Sequence, residues 1–464
     1  MLNHLSLFLF ASWTCLCATA ATFQLAERFE VGPAWAGCPV GFALATHSNR
    51  QFIAYYDDNR EMTLAQRDLA STTWQFKRLP SKLGWDSHNY IAMTIDAEGY
   101  LHVSGNMHAV PLVYFRSTKP LDIASVVPIH RMTDELEKRV TYPRFMSLHD
   151  NTLIFTYRDG GSGNGNQIWN RYALETKTWK RLIDSPLFDG QGKMNAYIQG
   201  PERGPDGLYH LAWVWRNTPA CETCHTLSYA RSRDLISWEN INGKPISLPI
   251  RLGADVVVDN VPVKGGLINC SFSIGFDTKS KPILTYTKHD EKGNTQLMNA
   301  RYDGTSWNSV QASNWDYRWA PTGGGTIIGE IGVGAVEIQD GKLVQNYSHA
   351  KLGGGRWFLD EAALKPTGKA PGRDKLPGGV IKVERSEPNM RLNSASDSLR
   401  NTTDTLSCDG FLYRLVWECL PANRDRPQPD GAPAPSKLRL FKFRPVEALA
   451  KPPSITATTK RGPP

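Results

Sequence analysis

From Gly37 to Phe443 apolar and polar residues alternate in short runs of period two, broken by polar turns, with no sustained 3.6-residue periodicity. That pattern predicts strands paired into hairpins. Successive pairs are Phe42-Ala-Leu-Ala with Phe52-Ile-Ala-Tyr, Ile91-Ala-Met-Thr with Tyr100-Leu-His-Val, and Phe145-Met-Ser-Leu with Leu153-Ile-Phe-Thr-Tyr. Ala196-Tyr-Ile with Leu208-Tyr-His-Leu-Ala-Trp, Phe272-Ser-Ile with Ile283-Leu-Thr-Tyr, and Ile331-Gly-Val with Leu343-Val-Gln-Asn-Tyr continue the series. A last pair ends on Leu412-Tyr-Arg-Leu-Val-Trp, and turns closing on Trp74, Trp179, Trp238 and Trp307 punctuate the units. A repeat of roughly 40 to 70 residues, each offering several short strands, predicts an all-β fold: a seven-bladed β-propeller of four-stranded antiparallel blades over residues 21–448. A pair of β-sandwich domains is the competing architecture, but no linker-like shift in composition divides the chain.

Hairpin parity turns this repeat into geometry. A hairpin reverses direction, so the residue before a blade's first strand and the residue after its second strand share one rim. His88 and His108 hold those places in the second blade, Tyr142 and Arg158 in the third, and Arg216 ends the second strand of the fourth. A strand of about seven residues separates this rim from the other by roughly 23 Å. His102, His149 and His210 fall within strands or near the opposite rim and are set aside.

Charge narrows the partner. The chain carries 53 Lys and Arg against 45 Asp and Glu, a formal net charge of +8, which favours an anionic ligand. No basic run or nucleic-acid-binding motif accompanies it, so nucleic acid is not expected and an acidic glycan is. The opening residues, MLNHLSLFLFASWTCLCATAA, read as a signal peptide over residues 1–20. Its apolar core is too short to span a bilayer. A secreted protein, extracellular or periplasmic, with no membrane span is expected, working as a monomer. The Pro-rich segment 449–464 reads as a disordered tail.

Two imidazoles, a phenol and two guanidinium groups on one rim suit the β-elimination of a uronate. Arg neutralises the carboxylate, a base such as His takes the C5 proton, and an acid such as Tyr protonates the departing O4. Any one of these residues alone is ordinary rim decoration. The five together are the argument.

The motifs then become familiar. Gly84-Trp-Asp-Ser-His-Asn89, Gly99-Tyr-Leu-His-Val103, Gly105-Asn-Met-His108 and Tyr157-Arg-Asp-Gly-Gly-Ser-Gly-Asn-Gly165 resemble the BNR-4 repeat family. So do Trp213-Val-Trp-Arg216 and Glu418-Cys-Leu-Pro-Ala-Asn-Arg424. That family contains the ulvan lyases of polysaccharide lyase families 24 and 25, and the likeness is closer to family 25. The resemblance implies a secreted lyase acting on sulfated rhamnose–uronic acid polymers. It implies His88 and Tyr142 as the base and acid pair, in either order, and His108 as a second active-site histidine. Arg158 would neutralise the carboxylate, Arg216 would contact substrate charge, and Asn89 and Asn164 would line the groove. Two other functions compete: a sialidase-like glycoside hydrolase, using carboxylates such as Asp86, Asp159 or Glu418, and a non-catalytic glycan-binding propeller.

Of eight cysteines, six remain once Cys15 and Cys17 are removed with the leader. Cys221-Glu-Thr-Cys224-His225 offers no haem pocket in a hairpin loop. Cys221, Cys224, His225 and Cys270 make a reasonable tetrahedral set for a structural zinc, which the resemblance also supports without fixing its ligands. A Cys221–Cys224 disulfide or free thiols are the alternatives. Cys38 and Cys419 would meet where the first and last blades close. No cofactor is expected for catalysis.

Overall fold

The computed structural model describes residues 22–372, 376–399 and 406–446. The expected leader (1–20) and the expected tail (449–464) lie outside the described residues. The fold is all-β and propeller-like: seven antiparallel sheets follow one another among the described residues, most of them four-stranded.

The first sheet is a meander of Ala43–His47, Arg50–Tyr56, Glu61–Asp68 and Gln75–Lys82. Later sheets repeat it, starting at Ile91–Ile95, Val140–Ser147, Asn195–Arg203, Phe272–Phe276 and Ile331–Gln339. Their tight turns have a shared local cause. Asp57, Asp96 and Asp277 each accept backbone N–H groups two and four residues further on, which folds the chain back on itself.

The seventh sheet departs from the meander. Arg391–Ala395 and Leu412–Cys419 are followed by Ser436–Val446, and the fourth strand is Thr22–Ala34 from the start of the described chain. Phe29 lies opposite Leu440 in that antiparallel pair. Sequence patterning gave the first strand no role.

Cores lie between consecutive sheets. Trp169 of the third packs in one cluster with Trp213, Trp215 and Trp238 of the fourth. Phe42 of the first stacks on Trp417 of the seventh, ring centroids 4.3 Å apart, so the first and last sheets also share a core. Removing one such indole costs about 3–5 kcal/mol. The inner strands surround a cavity of about 1270 Å³, lined by Phe42, Met93, Arg144, Phe145 and the Glu202–Gly204 turn.

The histidines set aside from the rim are accounted for. His102 is fully buried between the Tyr114 hydroxyl (2.7 Å) and Asp96 (3.1 Å). His210 repeats the arrangement with Tyr229 (2.6 Å) and Asp206 (3.0 Å). His149 lines the large cavity.

Candidate active site

The site grows from a tight turn ahead of Ile91–Ile95. Asp86 Oδ1 accepts the backbone N–H of His88 at 2.8 Å and faces His88 Nδ1 at 2.7 Å. The other oxygen of Asp86 faces His108 Nδ1 at 2.5 Å. One carboxylate thus serves two imidazoles, whose rings stack with centroids 4.2 Å apart. His108 reaches this place because His108–Val110 leaves its own sheet and adds to the edge of the next, opposite Val140 and Thr141.

Tyr142 follows at once. It sits in a register break of the Val140–Ser147 strand, with φ +59°, a left-handed backbone that a bulky residue rarely adopts. The break turns its ring toward the site, 5.8 Å from His88. Arg158, on the paired strand, places its guanidinium 4.9 Å above the Tyr142 ring and donates to Tyr197 and Thr141. His108, His88, Tyr142 and Arg158 therefore form one continuous row. Tyr142, Arg158, Tyr197, Gln167 and Asn269 line a cavity of about 270 Å³ beside it. Arg158 Nε is buried without a partner, a donor left available inside that wall.

The other expected substrate contacts are placed less centrally. Arg216 lies over Tyr197 at 5.2 Å, but it donates to Asn269 and to the carbonyls of Thr218 and Pro219, so its own loop engages it. Asn89 sits beside His88 with a buried, unpartnered Oδ1. Asn164 is exposed in the hairpin opposite Gly161, apart from the row.

Proton affinities follow from these contacts. Burial pulls the His88 pKa down, but the Asp425 and Asp86 carboxylates outweigh it and raise it to about 9. Burial pushes Asp86 up, yet its two imidazole partners hold it well below the usual carboxylate range. The Tyr142 phenol is driven up by burial and by Tyr197, against the opposing pull of Arg158 and Arg216.

Asp425 is the residue that motif reading missed. It arrives from the loop after Leu412–Cys419 and stands 3.5 Å from His88 Nδ1. Asp86, His88, His108 and Asp425 offer donor atoms within 4.8 Å of one another. The 2.5 and 2.7 Å contacts of Asp86 are nevertheless hydrogen-bond distances. Two donors about 2.0–2.1 Å from one ion and at least a right angle apart would stand nearly 3 Å from each other. This cluster shares protons.

Of the expected zinc set, Cys221 and Cys270 lie close enough to Cys224 to bear on its thiol, while His225 turns away from it. Cys224 and His225 are consecutive in the Cys224–Ser232 strand, so their side chains leave on opposite faces. Cys224 is fully buried, with its thiol toward Asn269 and its pKa raised by burial to about 12. Both His225 nitrogens are engaged, by Thr226 and Asn217. All six cysteines are free thiols, Cys38 and Cys419 included. Of the carboxylates weighed for a hydrolase, Glu418 is taken up in a buried ion pair with Arg439 at 2.6 Å.

Comparisons with known proteins bear on the family and the fold. The ulvan lyase, long isoform, of Pseudoalteromonas sp. (strain PLSV) is 29% identical over 121 residues, covering 24% of this chain and 12% of that protein. The short isoform of Alteromonas sp. (strain LOR) is 26% identical over 120 residues, 24% of this chain and 23% of that one. The chain thus spans well under a quarter of the long-isoform relative it matches. Among solved structures, polysaccharide lyase Uly1 is similar with a TM-score of 0.60 at 14% identity, covering 91% of this chain and 99% of that one. A PL25 ulvan lyase bound to -[GlcA(1-4)Rha3S]- has a TM-score of 0.55 at 12% identity, covering 84% and 92%. At such identities the likeness is one of fold. The BNR repeat-containing family model matches residues 50–315, more than half of the chain, and the protein belongs to that family.

Proposed function

We propose that this protein is an exported polysaccharide lyase, built as a seven-bladed β-propeller, that cleaves an ulvan-like uronate polymer by β-elimination. The row His108–His88–Tyr142–Arg158 carries the reading, because it sets a base, an acid and a cation within reach of one sugar. The activity in the names of the curated relatives and the disaccharide in the solved ulvan lyase complex support the same substrate class.

In this reading Arg158 binds the C5 carboxylate and stabilises the charge that develops there. His88, through Nε2, takes the C5 proton. The C4=C5 double bond forms as the C4–O4 bond breaks, and Tyr142 gives its proton to O4. A base with its pKa near 9 suits a weakly acidic C–H bond, and a phenol pushed upward keeps its proton for the leaving group. Activity therefore rises as pH approaches 9, where His88 loses its resting proton. His108, Arg216, Asn89 and Asn164 are proposed to contact the chain on either side of the cleaved bond.

Digestion of ulvan, followed by the ultraviolet absorbance of an unsaturated uronate, tests this directly. Growth of that signal is expected. New reducing ends without it would show hydrolysis, and binding with neither product would leave a glycan-binding propeller.

A further inference from the structure

The loop 321–329 leaves the fifth sheet and crosses the face that carries the site before the sixth sheet begins. It is tied to the loop after Arg216 and to the turn that carries His88. Gly323 accepts the Cys221 N–H at 2.9 Å and donates to Glu222 at 2.8 Å, beside Arg216. Thr326 hydrogen-bonds Ser87, next to His88. Arg424 clamps the middle through the carbonyls of Thr322 and Gly324. Three consecutive glycines make this passage possible: Gly323 and Gly325 have φ of +79° and +75°, and a Cβ on Gly325 would stand 2.9 Å from the Arg424 carbonyl oxygen.

The strap ends on Asp425. Thr326 donates to it twice, from its amide at 3.0 Å and its hydroxyl at 2.7 Å. Arg424 and Asp425 themselves have φ of +52° and +63°, two neighbouring non-glycine residues in the left-handed region. Surrounding contacts must hold such a backbone in place, and strain of this kind gathers at working sites. Here it holds one carboxylate 3.5 Å from His88 Nδ1.

We propose that Asp86 and Asp425 are positioning residues for proton abstraction by His88. They grip Nδ1 between two carboxylates, turn Nε2 toward the sugar and set how strongly it holds a proton, with the Gly323–Thr326 strap locking Asp425. The proposal rests on the lyase reading of this same site. Asp86, Asp425, His108 and Tyr142 are the titratable groups that face His88. Asp86 also pins His108, so the two stacked imidazoles move as one unit.

The test is a pH titration of the histidine ring signals of the full chain by NMR, alongside the pH–rate profile on ulvan. His88 is expected to titrate near 9. In Asp425→Asn its midpoint should fall by about one unit or more. The acidic limb of the rate profile should move down with it, and kcat on the alkaline side should drop because the base is weaker. Asp86→Asn should do the same. Gly325→Ala, which pushes on the Arg424 backbone without changing any charge, should reproduce part of the Asp425→Asn shift. A His88 midpoint unmoved in a folded Asp425→Asn variant overturns the proposal, as does a rate loss equal at every pH. If His88 titrates as expected while no uronate polymer yields an unsaturated product, the gripping role stands and the lyase reading falls.

Discussion

Two kinds of histidine–aspartate contact occur in this molecule, and their outcomes are opposite. In the core, His102 and His210 each spend one ring nitrogen on an aspartate and the other on a buried tyrosine hydroxyl. Burial there outweighs the aspartate, and both pKa values fall. At the rim, His88 turns one nitrogen to two carboxylates and keeps the other uncommitted, and its pKa climbs to about 9. The residue pair is the same. What separates a structural knot from a proton carrier is whether a nitrogen is left over and whether carboxylate charge exceeds the cost of burial.

Substitution of each kind breaks the comparison most directly. His88→Ala is expected to cost on the order of 10²–10⁴ in kcat, with the melting temperature above pH 9, where His88 no longer contributes a bound proton, nearly unchanged. His102→Ala should do the reverse, losing on the order of 2–4 kcal/mol of stability because Asp96 Oδ2 and the Tyr114 hydroxyl both lose their buried imidazole partner. Steady-state rates and thermal unfolding on both variants decide it. Equal loss of activity in the two would erase the distinction. Next in size, Arg158→Ala should lose about 10²-fold in kcat/KM on ulvan. A change under about threefold would take that guanidinium out of the mechanism.

The smallest effect sharpens the contrast through pH. His102 and His210 bind protons more weakly folded than unfolded, so below about pH 6.5 the unfolded chain takes up more protons and stability falls. His88 binds its proton more tightly when folded. Its contribution is complete below about pH 6.5 and is lost as pH climbs through 9. Chemical unfolding across pH 5 to 10 should therefore show a maximum between these limits, and in His88→Ala the alkaline decline should flatten. An unchanged alkaline slope would contradict the charged state of His88.

Much of this was readable before any coordinates. Period-two patterning located the first two strands of six sheets and the second strand of the seventh, because a strand with one buried face must alternate. Parity of hairpins then gathered His88, His108, Tyr142 and Arg158, since it depends only on counting direction reversals. What escaped was long-range. Thr22–Ala34 pairs with Ser436–Val446 through backbone bonds that leave no local mark in either segment. Asp425 and Thr326 reach His88 through loops whose course no periodicity records. Among the expected zinc ligands, Cys221 and Cys270 do come to bear on Cys224, but consecutive strand positions face apart and turn His225 away.

The shared last sheet also sets an order of events in folding. Its outermost strand, Thr22–Ala34, is separated in sequence from its partner Ser436–Val446 by the strands of all six other sheets. Until the two meet, each keeps an unsatisfied edge, and their pairing must close a very long loop. A cut in any surface turn between them would leave the fastening intact but held by strand pairing alone.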